Sequence, residues 1–227
     1  MRTKLLIGLA IGLILFGATY WIIRVKKNVT NATNLSSIIH FLAEPDEKEQ
    51  TSIETRQSSP FSKIDVKGIA NVVFTQSDTF KIVIKANTAK HLRITTTEVS
   101  DNTLYLRTED SRGRSNVAVT AYISAPNIAK LTYEGIGEFK AEKPLKLNDL
   151  EIQLQGIGNI SIGDLKCRNL DVHMEGVGNL AIHTECENLF LDLQGVGSAT
   201  LSGSTHTQRI KKESLGKLDT SNLKTLK

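Results

Sequence analysis

The residues of this 227-residue chain whose types and spacing could do chemistry are two cysteines, one histidine set among carboxylates, and a series of paired glycines. Cys167 and Cys186 are the only cysteines, and each stands nine residues before the first glycine of a Gly-x-Gly pair, Gly176 and Gly195 respectively. If the pairs mark equivalent points of successive repeats, the cysteines share one column on neighbouring repeats. Neighbouring strands lie about 4.8 Å apart, which falls inside the Cα window of a disulfide. Two readings stay open, a Cys167–Cys186 disulfide and a buried thiol ladder, because Leu147 holds the same column one repeat earlier. No His or third Cys has ligand spacing to them, so no metal site is expected.

His173 and Asp192 likewise share a column, with Asp171, Glu175, Gln194 and Lys211 nearby. Such a face could exchange protons with a polysaccharide, or it could be a solvated sheet surface whose cross-strand pairs contribute about 0.2–1 kcal/mol each. Asp171, His173, Glu175, Asp192 and Gln194 form the candidate binding face. No catalytic residue is assigned, since the chain has neither an HExxH motif nor a Ser/His/Asp order. The Gly-x-Gly pairs are no phosphate cradle. A dinucleotide fingerprint needs a third Gly opening a helix, whereas Lys140, Ser161 and Ala181 stand at that position and strand patterns follow. No cofactor and no nucleotide is expected.

The glycines instead report the architecture that must carry these side chains. Gly135-Ile136-Gly137, Gly156-Ile157-Gly158, Gly176-Val177-Gly178 and Gly195-Val196-Gly197 begin 21, 20 and 19 residues apart, and a worn copy surrounds Gly216. Before each pair the apolar columns Leu150/Leu170/Leu189, Ile152/Val172/Leu191 and Leu154/Met174/Leu193 alternate with polar ones. Period-two alternation is the mark of a strand with one face buried. A second strand follows each pair, with Ile160/Ile162 and Leu180/Ile182 inward. A coil of about 20 residues made of strands and corners cannot bury its apolar face alone, so it must stack on its neighbours. The expected fold is all-β, a parallel β-helix or β-solenoid. Its apolar ladder should end where the columns turn to Gln208, Ile210 and Lys212, and Asn169, Asn188 and Asp149 should line a corner as a structural ladder.

Residues 61–134 carry less regular strand patterns around Ile82/Ile84, Leu92/Ile94, Leu104/Leu106, Val117/Val119, Ile123 and Leu131/Tyr133, with turns at Asp101-Asn102 and Ala125-Pro126-Asn127. They are expected to form an opening β-layer continuous with the solenoid, completing a head domain over residues 61–227.

Ahead of the head, residues 5–23 are uncharged and at about 1.5 Å per residue would span close to the hydrocarbon thickness of a bilayer as a helix. Phe16 stands where a signal-peptide cleavage site wants a small residue, so a retained anchor over residues 1–27 is favoured over a cleaved signal. Residues 28–60 read as a polar tether. Charge supports the division: Arg2, Lys4, Arg24, Lys26 and Lys27 account for more than the whole formal net charge of +4, leaving −1 on the remaining 200 residues. A near-neutral head without a basic stripe excludes nucleic acid as an expected partner.

The opening Phe61-Ser62-Lys63-Ile64-Asp65-Val66-Lys67-Gly68, the strand from Val117 closing in Ala125-Pro126, and the iterated Gly-x-Gly motif together resemble the head GIN domain family of autotransporter adhesins, found in bacterial envelope proteins. The resemblance covers about residues 61–220. It departs from the family in placing Ile or Val, where a small residue is usual, between the paired glycines. The resemblance implies a β-solenoid head on the extracytoplasmic side, periplasmic or at the cell surface, and an adhesin-like role. Three functions follow as expectations: a membrane-anchored, non-catalytic module binding a glycan or a surface protein; a glycan-processing β-helix enzyme using His173, Asp192 or Asp171; and a self-assembling envelope scaffold.

Overall fold

The computed structural model describes residues 50–109 and 118–227. The expected anchor (residues 1–27, helix about 5–23) and most of the tether lie outside them. Among the described residues no helix is long and apolar enough to cross a membrane. Fourteen strands in the described residues join in one continuous sheet that winds on itself.

The regular part is built from β8 (Lys130–Ala141), β9 (Leu145–Lys146), β10 (Asp149–Leu154), β11 (Ile157–Met174), β12 (Val177–Leu193), β13 (Val196–Lys212) and β14 (Leu218–Thr225). All their pairings are parallel. Each coil holds three runs. The first, as in β10, precedes the Gly pair; the second, as in 157–162, follows it; the third is short, as at Leu165 and Lys166. Strands pair with the equivalent run one coil away, so Leu170 faces Leu150 and Leu189, and Ile160 faces Phe139 and Leu180. The sequence columns become inward ladders: Ile152, Val172 and Leu191 are each at most 1 % exposed. Full burial of such a side chain contributes about 1.5–3 kcal/mol, and a coil holds several, which is why a 20-residue unit with no helix is stable only in a stack. The drop in coil length also has a location. Ile162 pairs with Ile182 but Leu165 with Thr184, so the corner at Gly163 and Asp164 absorbs one residue.

The Gly pairs lie where successive coils press backbone on backbone. Gly178 and Gly197 take φ of +152° and +153°, and a Cβ on Gly178 would stand 1.7 Å from the carbonyl oxygen of Gly158. Only glycine fits such a corner. The residue between two glycines points outward, which leaves Ile136, Ile157, Val177 and Val196 about half exposed.

The opening layer is continuous with the solenoid and less uniform. β2 (Lys63–Ile69) and β3 (Asn71–Gln76) lie parallel to β8, and β6 (Thr103–Thr108) and β7 (Val119–Ala125) add parallel to β2 and β3 as an outer coil. Antiparallel strands then close the end: β5 (Thr95–Ser100) on β6, β4 (Lys81–Ala86) on β7, and β1 (Ser52–Arg56) on β4. Asp101 and Asn102, at φ +48° and +61°, make the two-residue hairpin turn between β5 and β6.

Two expectations need correction here. Residues Ser52–Arg56, read as tether, form the edge strand β1; Ile53 is exposed and the segment carries no alternating apolar pattern, so nothing local marked it. The Leu92/Ile94 alternation, read as a strand, belongs to a one-turn helix α1 (Ala89–Arg93). Thr88 caps it by accepting from the His91 amide at 3.1 Å, and Arg56 donates to the Leu92 carbonyl at 3.2 Å. A capping Thr outweighed a two-residue period.

The far end matches its expectation. Gln208 and Lys212 are exposed and Ile210 half-buried, so the inward ladder of the first run stops, and only β14 adds a partial further coil.

Candidate functional site

The five residues of the candidate face all lie on the outer surface of the first runs of β11 and β12, or just past their ends. Register places Asp171 between Glu151 and Phe190, and His173 between Gln153 and Asp192; β13 continues the two columns with Arg209 and Lys211. The residues are therefore brought together, but not as an acid/base pair of His173 and Asp192. His173 Nε2 lies 2.9 Å from Asp171 Oδ1 on its own strand, in poor hydrogen-bond geometry, so the contact is electrostatic and depends on a protonated imidazole. The Asp192 carboxylate accepts from Gln194 at 3.2 Å instead. Successive outward residues of one strand and of its neighbour compete for each partner, and here the same-strand partner is the closer one.

The sequence reading missed the centre of this face. Phe190 is half-buried and carries the imidazole of His173 at 5.3 Å between ring centres, with the Arg209 guanidinium 5.9 Å and the Lys211 ammonium 5.7 Å from its ring centre. Both cation distances are within reach of the ring quadrupole. The available signal was an aromatic residue in an outward column that is otherwise Glu151, Asp171 and Arg209. Beside it Gln153, Gln155, His173 and Glu175 line a notch of about 140 Å³. This is below the roughly 300–1,000 Å³ of an enclosing ligand pocket, so a ligand here lies along the surface. Gln153 donates to Glu151 at 2.6 Å, and Glu151 pairs with Lys130 at 2.9 Å. Exposed pairs of this kind contribute little to stability, so these charges are free to serve a partner.

A corner ladder flanks the face. Asn169 donates to Asp149 at 2.5 Å, Asn188 donates to Asn169 at 2.8 Å, and the Thr207 hydroxyl donates to Asn188 at 2.6 Å. The Arg168 guanidinium, with Asn169, holds the Asp149 carboxyl below its usual range. The ladder is structural, as its repeat implied. It ties successive coils along the edge of the candidate face.

Cys167 and Cys186 pair in register on neighbouring coils, and both thiols are free. Each sulfur acts most strongly on the other, which lowers the Cys186 thiol to about 6 and, with burial, raises the Cys167 thiol above the usual thiol range. Tyr133 is also strongly shifted: burial, then the charge of Glu138, raises its phenol, whose hydroxyl donates to the Ala70 carbonyl. Among the described residues no group of three or more His, Cys, Asp or Glu is placed to hold a metal ion.

Fold and face together define a β-solenoid with an outward surface of mixed charge around Phe190. The family model described as "Putative auto-transporter adhesin, head GIN domain" matches residues 60–200 and 164–227, and the chain belongs to that family. A solved structure titled as a "putative adhesin" from Bacteroides fragilis is similar at 22 % identity and a TM-score of 0.59, covering 77 % of this chain and 98 % of that one. A second "putative adhesin", from Parabacteroides merdae, is 13 % identical with a TM-score of 0.45 over 75 % of this chain and 95 % of that one. Among functionally curated proteins no relative matches. The likeness to the Bacteroides fragilis structure establishes a shared fold and leaves the ligand to be argued from this chain.

Proposed function

We propose that this protein is a membrane-tethered, extracytoplasmic binding module of the bacterial envelope, non-catalytic, and that the face around Phe190 binds a glycan. The single observation that carries the reading is the half-buried Phe190 ring flanked by His173, Arg209 and Lys211, within a field of carboxylates and amides. A sugar ring offers an apolar C–H face and a rim of hydroxyls. An aromatic face packs against the first, and Asp192, Gln194, Gln153 and Glu175 supply acceptors and donors for the second. The shallow notch suits a chain lying across coils. Membership of the adhesin-type family agrees with a head held outside the cytoplasm, and the uncharged residues 5–23 agree with a tether.

The test is a glycan array probed with the purified full-length protein, followed by titration of the strongest binder against Phe190→Ala and Asp192→Asn. Expected is a loss of at least about tenfold in affinity for Phe190→Ala, in line with a truncated aromatic anchor, with the unfolding midpoint nearly unchanged. Affinity unaffected by both substitutions, or recovery of a protein partner and no glycan, would overturn the reading.

A further inference from the structure

We propose that Cys167 and Cys186 are a reversible redox modification site, closing to a disulfide that staples two neighbouring coils. The geometry that carries this is threefold. The two residues are register partners on adjacent parallel strands, whose spacing of about 4.8 Å lies within the Cα range of disulfides. Each sulfur is also the largest influence on the acidity of the other, as close neighbours would be. The pair is set against Thr184, whose fully buried hydroxyl has no well-directed partner of its own and lies by both sulfurs. The next coil puts Thr205 in the Cys186 column, so the pair is closed on that side by a hydroxyl and not by a third sulfur.

Closure proceeds by thiol–disulfide exchange with an oxidant that itself carries a disulfide, either a dithiol oxidoreductase in its oxidised form or a small-molecule disulfide. Acidity favours Cys186, yet Cys186 is 6 % exposed whereas Cys167 is half-buried. The shared proton resolves the conflict. The pair's first negative charge rests on the more acidic Cys186 and moves to the accessible Cys167 as the remaining proton passes from Cys167 to Cys186 during the attack. The Cys167 thiolate attacks the oxidant's S–S bond, forming a mixed disulfide and releasing one oxidant thiolate. Cys186, giving its proton to that thiolate or to water, then displaces the second oxidant sulfur. The two cysteines lose two electrons and two protons, and the oxidant's disulfide becomes two thiols. The staple closes just before the Asn169/Asn188 step of the corner ladder, on the coils that carry His173 and Phe190, and it restrains that face without adding a group to it.

The test uses the full-length protein reduced, freed of reductant, and exposed to glutathione disulfide under native conditions, read by intact mass, peptide mapping and thermal unfolding. Expected in the wild type are loss of both thiols, a mass lower by two hydrogens, one cross-linked Cys167–Cys186 peptide, and a melting temperature raised by roughly 6–12 °C for a loop of this length. Expected in Cys186→Ser is one stable glutathione adduct on Cys167, and in Cys167→Ser almost none, which separates attacking from resolving sulfur. Two glutathione adducts without a cross-link would overturn the proposal. So would thiols that react only after denaturation, or a cross-linked form that melts below the reduced one. The wild-type readings stand even where a serine variant folds poorly.

Discussion

The first and second runs of the same coils share one interior and have unlike exteriors. Outward residues of the first runs are Glu151, Gln153, Asp171, His173, Phe190, Asp192, Arg209 and Lys211, a surface laced with both charges. From β11 to β13, those of the second runs are Ile157, Asn159 and Ser161, then Val177, Asn179 and Ala181, then Val196, Ser198 and Thr200, without one charge. Inward, both runs carry a buried apolar ladder, which ends at Leu189, Leu191 and Leu193 in the first runs and reaches Ala199 and Leu201 of β13 in the second. The stack constrains the inside of every coil alike and leaves most outward positions freer, apart from ladders such as Asn159/Asn179, so a partner's chemistry is to be sought in a difference between exteriors. Over these coils the uncharged side repeats one β-branched aliphatic residue followed by small or polar ones, as stacking alone would yield. The charged side breaks its own columns, with Phe190 between Asp171 and Arg209, and the proposed binding face rests on that break.

The largest expected effect removes the corner on which both runs depend. Gly178→Ala adds a methyl group 1.7 Å from the Gly158 carbonyl oxygen at a φ of +152°. Backbone strain and forced displacement together should destabilise by about 2–6 kcal/mol. Urea unfolding checks this, and a midpoint equal to the wild type would mean that the coils are not in backbone contact there. Next come Leu191→Ala in a first run and Leu180→Ala in a second, both at most 2 % exposed. Each should cost about 2–5 kcal/mol. Similar losses would uphold the shared interior, and a loss confined to one run would break the comparison at its root.

A pH test reaches the junction between the regular coils and the opening layer. Tyr133 of β8 donates its phenol proton to Ala70, and burial keeps that phenol protonated to a higher pH than in the unfolded chain. The sign follows from the proton count. Above about pH 10 the unfolded phenol ionises while the folded one does not, so the folded state binds more protons and stability falls as pH rises, by about 1.4 kcal/mol per pH unit for this one group. Below that pH the group contributes no slope. Tyr133→Phe should lose about 1 kcal/mol at neutral pH with the hydrogen bond and should flatten the alkaline decline. Parallel declines in the two proteins, followed by denaturant midpoint from pH 8 to 11, would remove Tyr133 as the cause.

The sequence made the interior legible because interior positions repeat. Three columns of Leu, Ile and Val at a spacing of 19–21 residues can be aligned by eye, and with them came the strands, the Gly corners, the Asn ladder and the Cys167/Cys186 register. What it concealed lacks that repetition. The edge strand β1 pairs with β4 through backbone groups that any sequence supplies, and α1 turns on one capping Thr. The site failed for a related reason. Columns tell which residues are neighbours, but rotamers decide which neighbour is touched, so His173 met Asp171 and Phe190 and left Asp192 to Gln194. Phe190 was visible as an exception to a column, and reading the exceptions as closely as the rule would have found it.

The smallest expected effect is the sharpest test of the contrast between exteriors. Val177 and Val196 stack in register on the uncharged side and are each 48 % exposed. Replacing both by Thr keeps the branched shape that suits a strand and exchanges one methyl for a hydroxyl that water can reach. Half of each side chain is already solvated, so the change in stability should stay within about 0.5 kcal/mol per site. Glycan affinity should also be unchanged, because the altered stripe is on the second runs and Phe190 is on the first. The paired substitution Arg209→Ala and Lys211→Ala should do the opposite, leaving the urea midpoint equally still while removing the cations beside Phe190 and weakening binding. If the Thr pair abolishes binding and the Ala pair does not, the ligand lies on the aliphatic stripe. The irregular charged columns would then be ordinary solvated surface.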